Sequence, residues 1–359
     1  TNTVYNSVNI YSFFKIRKEF ISMNRKANVA VIGAGGIANN VHLPSLSEIE
    51  EANVVAVCDL HEERAKKAAE KYSIPAVYTS MYKMFEKESL DGVFVLVEPD
   101  RLHRAAYDCL SAGLHVFMEK PAGITSYQAR SLARKAEQTG KTVAVGMNRR
   151  HIPLVQKVFT MMKEITPITQ VDGVFMKNSN IANSWHYMSA FVCDIIHATD
   201  LVRYFAGSKP TKAATVVARN NSPVDNAWSS VIMFENGIVG TLRSNYQIGG
   251  RVHSFEIHGP KASAFINLGF GGNECEAKIL YASGKPIYSL AAAGVSKLAM
   301  EHLDGKEIAG TDAFYAYYGY KQEDKDFINF LLTGQKPLCT IEDAAETMEM
   351  AEMLLNNTI

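Results

Sequence analysis

The sequence predicts a two-part α/β and α+β protein, in which a doubly wound parallel sheet is followed by a domain built on a large, mostly antiparallel open sheet. Three observations support this fold class. Short apolar runs alternate with helix-like stretches from residue 27 to residue 147, and a glycine-rich turn follows the first run. Beyond Arg150 the pattern changes to strands in which apolar and polar residues alternate.

The first half contains five short apolar runs separated by helix-like stretches. Residues 61–72 are rich in helix formers, Thr125 to Gln128 resembles a capping box, and Gly140 suits a helix end. Runs that are apolar throughout are typical of strands covered on both faces, as in a parallel sheet. The runs are NVAVIG, NVVAVCD, DGVFVLVEP, HVFMEKP and TVAVGMN, which end at Gly33, Asp59, Pro99, Pro121 and Asn148.

The second half is predicted to be one helix followed by an antiparallel sheet with one covered face. The helix is expected at 191–205, and the chain is expected to be helical again from Lys321. Turn dipeptides between alternating runs are typical of hairpins. The predicted hairpin turns are Asn236-Gly237 and Gly259-Pro260.

Length and composition indicate two domains without a strong overall charge. Of the 359 residues, 47% are hydrophobic and 21% charged, and the formal net charge is zero. No global field therefore draws the chain to nucleic acid or to a membrane surface, and we expect neither as a partner. The change of pattern predicts domains at 23–148 and 149–359, preceded by an extension at 1–22.

Cysteine spacing and hydropathy indicate the cellular compartment in which the protein is expected. Five scattered cysteines form no CxxC pair, which argues against a disulfide framework or a zinc site, and we expect no metal. No apolar run reaches the ~18–20 residues that a membrane-spanning helix needs. The first 22 residues lack an apolar core with a small-residue cleavage site, so they make a poor signal peptide. We expect a cytoplasmic protein with reduced thiols.

The turn GAGGIA at 33–38 predicts dinucleotide binding. Gly33 allows a tight turn, Gly35 allows a pyrophosphate to approach the backbone, and Ala38 allows close helix packing. An ordinary βα turn is the plainer alternative, but Asp59 ends the second strand where a ribose-binding carboxylate is expected. The helix N-terminus would present free N–H groups to the phosphates. The predicted contacts are Gly33, Gly35, Gly36, Ile37, Ala38 and Asp59.

Asp59 also bears on which cofactor binds. Its carboxylate would accept a hydrogen bond from the ribose 2′-hydroxyl and repel a 2′-phosphate, so we expect NAD to be preferred. His61 and Arg64 lie nearby in the sequence and could turn toward a phosphate, which keeps NADP as the alternative.

Lys120 stands at the carboxyl end of a predicted strand, between Glu119 and Pro121. Ligands bind at this edge of an open α/β sheet. Because proline restricts the backbone on either side of its peptide bond, the lysine would be aimed rather than mobile. A solvent-exposed lysine is the alternative.

Several segments of the chain match the order of motifs in one known family. They are VAVIGAGGIA, CD at 58–59, VEPDRLH, GLHVFMEKPAGIT and VGMNRRH, followed by the C-terminal DKDFINFLLTGQKPLCTIEDAAETMEMAEML. Together they resemble the Gfo/Idh/MocA family of nicotinamide-dependent oxidoreductases, which act mostly on sugars and cyclitols. The resemblance covers residues 27–359, and it implies a Rossmann domain followed by an α+β substrate-binding domain that also mediates oligomerisation.

The resemblance implies roles for individual residues. Lys120 would hydrogen-bond the reacting hydroxyl, its peptide bond to Pro121 would be cis, and His197 would be the catalytic histidine. The segment EPDRLH at 98–103 matches the family's Thr-Pro-Asn-x-x-His beside the nicotinamide ribose, with acids in place of Thr and Asn. The implied cofactor contacts are Glu98, Pro99, His103, Glu119 and Lys120.

Asp194, His197 and Asp200 are spaced by three residues on the predicted helix and can share one face. Many family members carry an acid four residues before the histidine, where this chain has Cys193, so Asp194 is one position late, as in some branches. We expect His197 to be the general base and Asp194 its carboxylate partner. A solvated helix face is the alternative.

Arg149, Arg150 and His151 follow the last strand of the first half. They form either a solvated hinge or a cationic edge that holds a carboxylate or phosphate of the substrate, and Lys177 could join them. Aromatic side chains at 185 and 187 could stack on a sugar ring, although such residues are more often part of a core. The expected substrate residues are Arg149, Arg150, Lys177 and Trp185.

These features predict an NAD(P)-dependent dehydrogenase or reductase that transfers hydride between the cofactor and a CH–OH or carbonyl group of a carbohydrate-like small molecule. Two alternatives share the fold. One is a non-catalytic dinucleotide sensor or regulator, and the other is a glycosidase that retains its NAD. The resemblance also implies a homodimer or a homotetramer.

Overall fold

A computed structural model describes residues 25–180, 188–269, 274–282 and 299–359. Six strands form the first sheet, and every pair of neighbours in it is parallel. The strands are β1 (Ala27–Ile32), β2 (Ala52–Cys58), β3 (Ala76–Tyr78), β4 (Gly92–Val95), β5 (His115–Glu119) and β6 (Val143–Gly146). Their order, β3-β2-β1-β4-β5-β6, reverses between β1 and β4, so the sheet is doubly wound and ligands are expected at that reversal.

Helices cover both faces of this sheet. Alternate residues of β1 enter two separate hydrophobic clusters, with Ala30 and Ile32 in one and Val29 and Val31 in the other. The predicted cap is confirmed, because Thr125 Oγ1 accepts from the Gln128 backbone N–H. The helices are α1 (Leu43–Ser47), which continues a π-helical turn (Ala38–His42), α2 (Glu62–Tyr72), α3 (Met81–Lys87), α4 (Pro99–Ser111) and α5 (Ser126–Thr139).

Eight strands form the second, open sheet. Its order is β14-β13-β12-β11-β7-β10-β9-β8, and β7 with β10 is the parallel pair among otherwise antiparallel neighbours. Both predicted hairpins are present, β9 to β10 and β11 to β12. The strands are β7 (Gln170–Asn178), β8 (Pro210–Ala218), β9 (Ala227–Phe234), β10 (Val239–Asn245), β11 (Gln247–Gly259), β12 (Ala262–Leu268), β13 (Cys275–Tyr281) and β14 (Ala299–Asp304).

Helices cover one face of the second sheet, and the described residues leave the other face open. A Cβ atom at Gly173 in β7 would lie 2.7 Å from Val202, so the covering helix packs closely there. The opposite face leaves Val216 and Val231 more than half exposed, at 52% and 57%. The helices of this half are α6 (Pro153–Ile165), α7 (Ile196–Ala206), α8 (Gly305–Ala309), α9 (Phe314–Tyr317), α10 (Tyr320–Thr333) and α11 (Ile341–Asn356), with a 3-10 turn at Asn148–His151 and a π-helical turn at Phe191–Ile195.

The C-terminal helices return to the first sheet. Phe327 of α10 packs edge-on against Phe94 of β4, with ring centroids 5.3 Å apart. The backbone N–H of Val145 in β6 donates to the Cys339 carbonyl at 3.0 Å. Residues beyond the predicted domain boundary at 148 therefore cover part of the first sheet.

The predicted fold class is confirmed, and the structure adds further elements to it. The short strand β3, the helix α6 and the small helices α8 and α9 were not predicted from the pattern. The predicted helix at 191–205 is present as the π-helical turn followed by α7. None of the helices within the described ranges is long and apolar enough to span a membrane. The predicted extension at 1–22 lies outside the described residues.

Candidate active site

The glycine-rich turn follows β1, at the edge where the strand order reverses. Gly33 has φ +99°, and a Cβ atom there would collide with the main-chain carbonyl of Leu96. Asn39 secures the turn, because its Nδ2 donates to the carbonyls of Ala34 (2.8 Å) and Gly35 (3.0 Å). A Cβ atom at Gly35 would meet nothing within 4 Å, so the turn is open on the side from which a phosphate would approach.

The next predicted contacts begin the helical segment behind the turn. Gly36 and Ile37 form its first residues, and Ile37 is 36% exposed. Ala38 is fully buried, which agrees with the expectation that a small residue is needed there for close packing.

Asp59 follows β2 and is bonded to the glycine-rich turn. Its Oδ2 accepts a hydrogen bond from the Ala34 backbone N–H at 2.8 Å, and its Oδ1 accepts from the His61 backbone N–H at 2.8 Å. The carboxylate is therefore held in one orientation beside the turn. Either oxygen retains lone pairs that can accept a further hydrogen bond, such as one from a ribose hydroxyl.

A cavity of about 340 Å³ lies beside the turn. It is lined by six of the predicted cofactor residues, and its remaining wall is largely apolar. An apolar slot that ends in a fixed carboxylate fits the adenine and ribose of a dinucleotide. The predicted residues that line it are Gly33, Gly35, Asp59, His61, Arg64 and Glu98, and wall residues that the sequence did not single out include Leu60, Met81, Tyr82, Leu96, Val97 and Arg101.

Pro99 and His103 lie on α4, outside the lining of this cavity. Pro99 is the first residue of the helix, directly after Glu98. Within the described part of the chain, His103 Nε2 has no hydrogen-bond partner, and burial lowers the pKa of the imidazole.

Glu119 is buried and both of its oxygens are engaged within the protein. Oε1 lies 3.1 Å from Nε2 of His42, and Oε2 accepts from the Lys120 backbone N–H at 3.0 Å. Nδ1 of His42 lies 2.8 Å from the Asp324 carboxylate on α10. Burial alone would lower the pKa of His42, but Asp324 and Glu119 together raise it well above its ordinary value. Glu119 therefore fixes the backbone of Lys120, and its contact with the cofactor stays a prediction.

Lys120 reaches from the end of β5 to the second half of the chain. Its peptide bond to Pro121 is cis, as the resemblance implies. Its Nζ donates a hydrogen bond of 3.0 Å to the main-chain carbonyl of Cys193, in the π-helical turn before α7. The strand end and the helix that carries His197 thus meet.

Asp194 is paired with Lys177, and this corrects the expectation that its partner is His197. Its carboxylate forms an ion pair with Lys177 Nζ and accepts a hydrogen bond from the Tyr246 hydroxyl at 2.7 Å. Burial alone would raise the pKa of Asp194, but the charges of Lys177 and Lys120 hold it below its ordinary value. The carboxylate is therefore ionised and fixed.

His197 is 7% exposed, and its Nδ1 has no hydrogen-bond partner within the described ranges. Its pKa is lowered well below the ordinary value, first by burial and then by the positive charge of Arg149, with smaller effects from Lys120, His253 and Lys177. The imidazole is therefore neutral near pH 7 and can accept a proton.

Several cations surround His197. Arg149 and Lys177 both lie over the ring of Phe175, at 5.1 and 5.4 Å from its centroid. His253 of β11 stacks on the same ring at 4.0 Å, and Arg251 donates to its Nε2 at 3.3 Å. We call Lys120, Arg149, Lys177 and Arg251 the cation cluster. The sequence had indicated its members Lys120, Arg149 and Lys177, whereas Arg251 was missed.

Arg150 is not part of the cation cluster, which corrects its predicted substrate contact. Its Nε and Nη2 donate to the two carboxylate oxygens of Asp200 at 2.7 and 2.6 Å, and its Nη1 donates to Asp343. The guanidinium is fully engaged in a buried structural ion pair. Asp200 consequently does not join Asp194 and His197 in one site. Trp185 and Tyr187 lie outside the described residues.

The chain is similar to two family models and to several known proteins. A model of an oxidoreductase family with an NAD-binding Rossmann fold matches residues 27–147, and a model of the GFO/IDH/MocA C-terminal domain matches residues 162–265. The uncharacterized oxidoreductase YrbE of Bacillus subtilis (strain 168) is 26% identical over 254 residues, which are 67% of this chain and 74% of that protein.

Two further comparisons concern sugar dehydrogenases. D-glucoside 3-dehydrogenase of Escherichia coli (strain K12) is 36% identical over 123 residues, which are 34% of this chain and 35% of that enzyme. A solved structure of levoglucosan dehydrogenase, in complex with NADH and levoglucosan, has a TM-score of 0.76 and 19% identity, and the match covers 93% of this chain and 97% of that one. At that identity the likeness supports the fold alone.

Proposed function

Because the chain belongs to the GFO/IDH/MocA family of oxidoreductases, we propose that it is an NAD-dependent dehydrogenase. It transfers hydride between the nicotinamide and a CH–OH or carbonyl group of a sugar, cyclitol or sugar derivative. D-glucoside 3-dehydrogenase and levoglucosan dehydrogenase, both similar to this chain, act on substrates of this kind by their names.

The observation that carries the proposal is the contact between Lys120 and the helical segment that leads to His197. The Lys120 ammonium bonds the Cys193 carbonyl at 3.0 Å, within about one helical turn of His197, and its charge lowers the pKa of that histidine. A cation and a neutral, buried base next to one another suit the removal of a proton from a hydroxyl group.

The residues present fit a nicotinamide dinucleotide. The open glycine-rich turn would hold the pyrophosphate, and the cavity beside Asp59 would hold the adenosine. When bound, the nicotinamide would supply the hydride acceptor or donor. The fixed carboxylate of Asp59 supports the preference for NAD, because a 2′-phosphate would be repelled there.

The chain's own residues would handle the proton and the developing charge. In the oxidation direction, His197 takes the hydroxyl proton, while Lys120 donates a hydrogen bond to the same oxygen and stabilises its negative charge. Asp194 anchors Lys177 through an ion pair and Tyr246 through a hydrogen bond. Reduction uses the same groups in reverse, with protonated His197 returning the proton.

The remaining sequence predictions are kept as part of the proposal. The first domain, 23–148, binds the dinucleotide, and the second, 149–359, binds the substrate and forms a homodimer or homotetramer in the cytoplasm. Support for an assembly comes from the open face of the second sheet, where Val216, Val231 and Met233 are 52%, 57% and 40% exposed.

The proposal is tested by following NADH formation with NAD and a panel of sugars, cyclitols and sugar acids. We expect turnover with at least one class, and Lys120→Met should lower kcat by about 10²–10³, as is usual when one oxyanion-stabilising donor is lost. Lys157→Met is the matched control, because Lys157 is exposed on α6. NAD binding without turnover would instead support a sensor, and tightly retained NAD without net reduction would support a glycosidase.

A further inference from the structure

Two cations face each other across neighbouring strands of the second sheet. In the antiparallel pairing of β7 with β11, Lys177 is directly opposite Arg251, and Phe175 is directly opposite His253. Residues two apart on a strand share a face, so all four side chains lie on one side of the sheet. Two like charges directly opposite one another on neighbouring strands destabilise the fold, so the stability of the sheet does not explain this pair.

A third cation is more deeply buried than either of these. Arg149 is 4% exposed, and its Nε and Nη1 have no hydrogen-bond partner in the part of the chain that the structure describes. Its guanidinium lies over the rings of Phe175 and Tyr318, at 5.1 and 6.0 Å. Burying unpaired guanidinium N–H groups is costly unless an acceptor arrives from outside the chain.

The cation cluster carries more positive charge than the neighbouring carboxylate of Asp194 can balance. In addition to burial, the positive charges of Lys120, Arg149 and Lys177 lower the pKa of His197, and the charge of Arg149 also lowers the pKa of Arg251. The carboxylate of Asp194 lies within electrostatic reach of Lys120, Lys177 and Arg251, and it is already bonded to Lys177.

We infer that the substrate is a hydroxy acid, such as a sugar acid, whose carboxylate is bound by Arg149 with Arg251 beside it, while the reacting hydroxyl lies between Lys120 and His197. This inference rests on the proposed function, since it places the reacting hydroxyl at those residues. Guanidinium groups bind carboxylates strongly through charge-assisted hydrogen bonds. A neutral sugar offers Arg149 only hydroxyl oxygens, which accept weaker hydrogen bonds than a carboxylate does and carry no charge to balance the guanidinium.

Binding of the substrate carboxylate would also raise the pKa of His197, the proposed general base. The charge of Arg149 is the largest electrostatic cause of the lowered pKa of His197. A bound anion offsets that charge, so the histidine becomes a stronger base when an acid substrate is present. A neutral substrate would not have this effect.

The test compares acids with their neutral parents. The kcat/KM with NAD is measured for gluconate against glucitol and for galacturonate against galactose, with glucose 6-phosphate as a third kind of anion. The same compounds are tested by thermal shift with NAD present. The variants are Arg149→Met and the control Arg219→Met, whose side chain is 64% exposed in an ion pair with Asp225.

We expect an acid to exceed its neutral parent by at least about tenfold, which corresponds to one charge-assisted hydrogen bond. Arg149→Met should remove that preference mainly by raising KM, and Arg219→Met should keep it. Equal turnover of acids and neutral parents would overturn the inference and leave the proposed function intact. If no compound is turned over, Arg149-dependent thermal stabilisation by acids would support the anion site. Without that stabilisation the inference fails, and preference for the phosphate would overturn the choice of a carboxylate.

Discussion

The ammonium group of Lys120 donates a hydrogen bond of 3.0 Å to the main-chain carbonyl of Cys193. This contact joins the end of a strand in the first sheet to the π-helical turn that leads into α7 of the second half. Since the acceptor belongs to the backbone, a change of side chain at position 193 leaves the contact in place. The relative position of Lys120 and His197 therefore depends on the helix and not on the thiol.

His197→Ala is expected to lower kcat/KM by about 10²–10⁴, the usual effect of losing a general base. The pKa of His197 is lowered by burial and by Arg149, Lys120, His253 and Lys177. Because the neutral form is the base, activity should persist below pH ~6.5, the ordinary pKa of histidine, and fall only at more acidic pH. The acidic limb of the kcat/KM profile checks this, and a limb at or above that pH in the wild-type enzyme would contradict it.

Asp194→Asn is expected to reduce activity by leaving the charge of Lys177 uncompensated beside His197. The acidic limb should move to still lower pH, because an added positive charge disfavours the imidazolium. Removing both charges, in Asp194→Asn with Lys177→Met, should restore part of the wild-type profile. Cys193→Ala is the control and should change little. An unchanged profile in Asp194→Asn would show that this ion pair does not act on the base.

NAD should be used at least about tenfold more efficiently than NADP, since the fixed carboxylate of Asp59 repels a 2′-phosphate. Asp59→Asn should lower the ratio of kcat/KM with NAD to kcat/KM with NADP. The amide oxygen can still accept from the Ala34 backbone N–H, but the negative charge that repels a 2′-phosphate is gone. The kcat/KM values with both cofactors decide the question. A tenfold advantage for NADP in the wild-type enzyme would assign His61 and Arg64, which line the cavity, to the phosphate.

A chain that starts at Met23 is expected to bind NAD(H) with unchanged affinity. The first strand begins at Ala27 and the glycine-rich turn follows it, so the whole turn is retained in the shortened chain. Titration of both forms by NADH fluorescence would check this. Loss of binding in a folded, truncated chain would mean that residues 1–22 complete the site.

His42→Leu is expected to destabilise the fold by about 3–5 kcal/mol, as is usual when one partner of a buried ion pair is removed. The carboxylates of Glu119 and Asp324 would remain buried without their shared cation. Because the pKa of His42 is raised, its contribution is fully present below pH ~6.5 and is lost as the pH rises through the folded-state value. Urea unfolding at several pH values measures this.

The control for His42→Leu is His302→Leu, which removes a half-exposed histidine bonded to Glu276. Exposed ion pairs contribute little, so this change should be small at every pH. If the two variants were equally stable, the buried network would have no net effect on stability. If the deficit of His42→Leu grew with pH, the sign of its charge contribution would be wrong.

Local patterns were sufficient to predict five of the six strands of the first sheet and the glycine-rich turn. Strand ends, glycine positions and the spacing to Asp59 depend on residues close in the sequence. The helix α6 could also have been found, because Leu154, Val155, Val158 and Met162 have helical spacing and are buried. The short strand β3 carries too few residues to show a period.

Contacts between distant parts of the chain could not be predicted. Arg149 and Arg150 are neighbours in a 3-10 turn, in which successive side chains point about 120° apart. Only the fold shows that Arg150 pairs with Asp200 and that Arg149 belongs to the cation cluster. Arg251 depends on the register of β11 against β7, which shifts between Gln247 and Arg251. A shift of one residue would turn its side chain to the other face.

The return of α10 and the following segment to the first sheet has a consequence for biosynthesis. Phe327 packs on Phe94, Asp324 holds His42, and Val145 bonds to Cys339, so residues made late complete the half that is made first. Domains commonly begin to fold while the ribosome is still extending the chain. Here the strand end that carries Lys120 cannot reach its final environment until α10 has left the exit tunnel, so the nascent first half would expose the apolar surface around Phe94 until then.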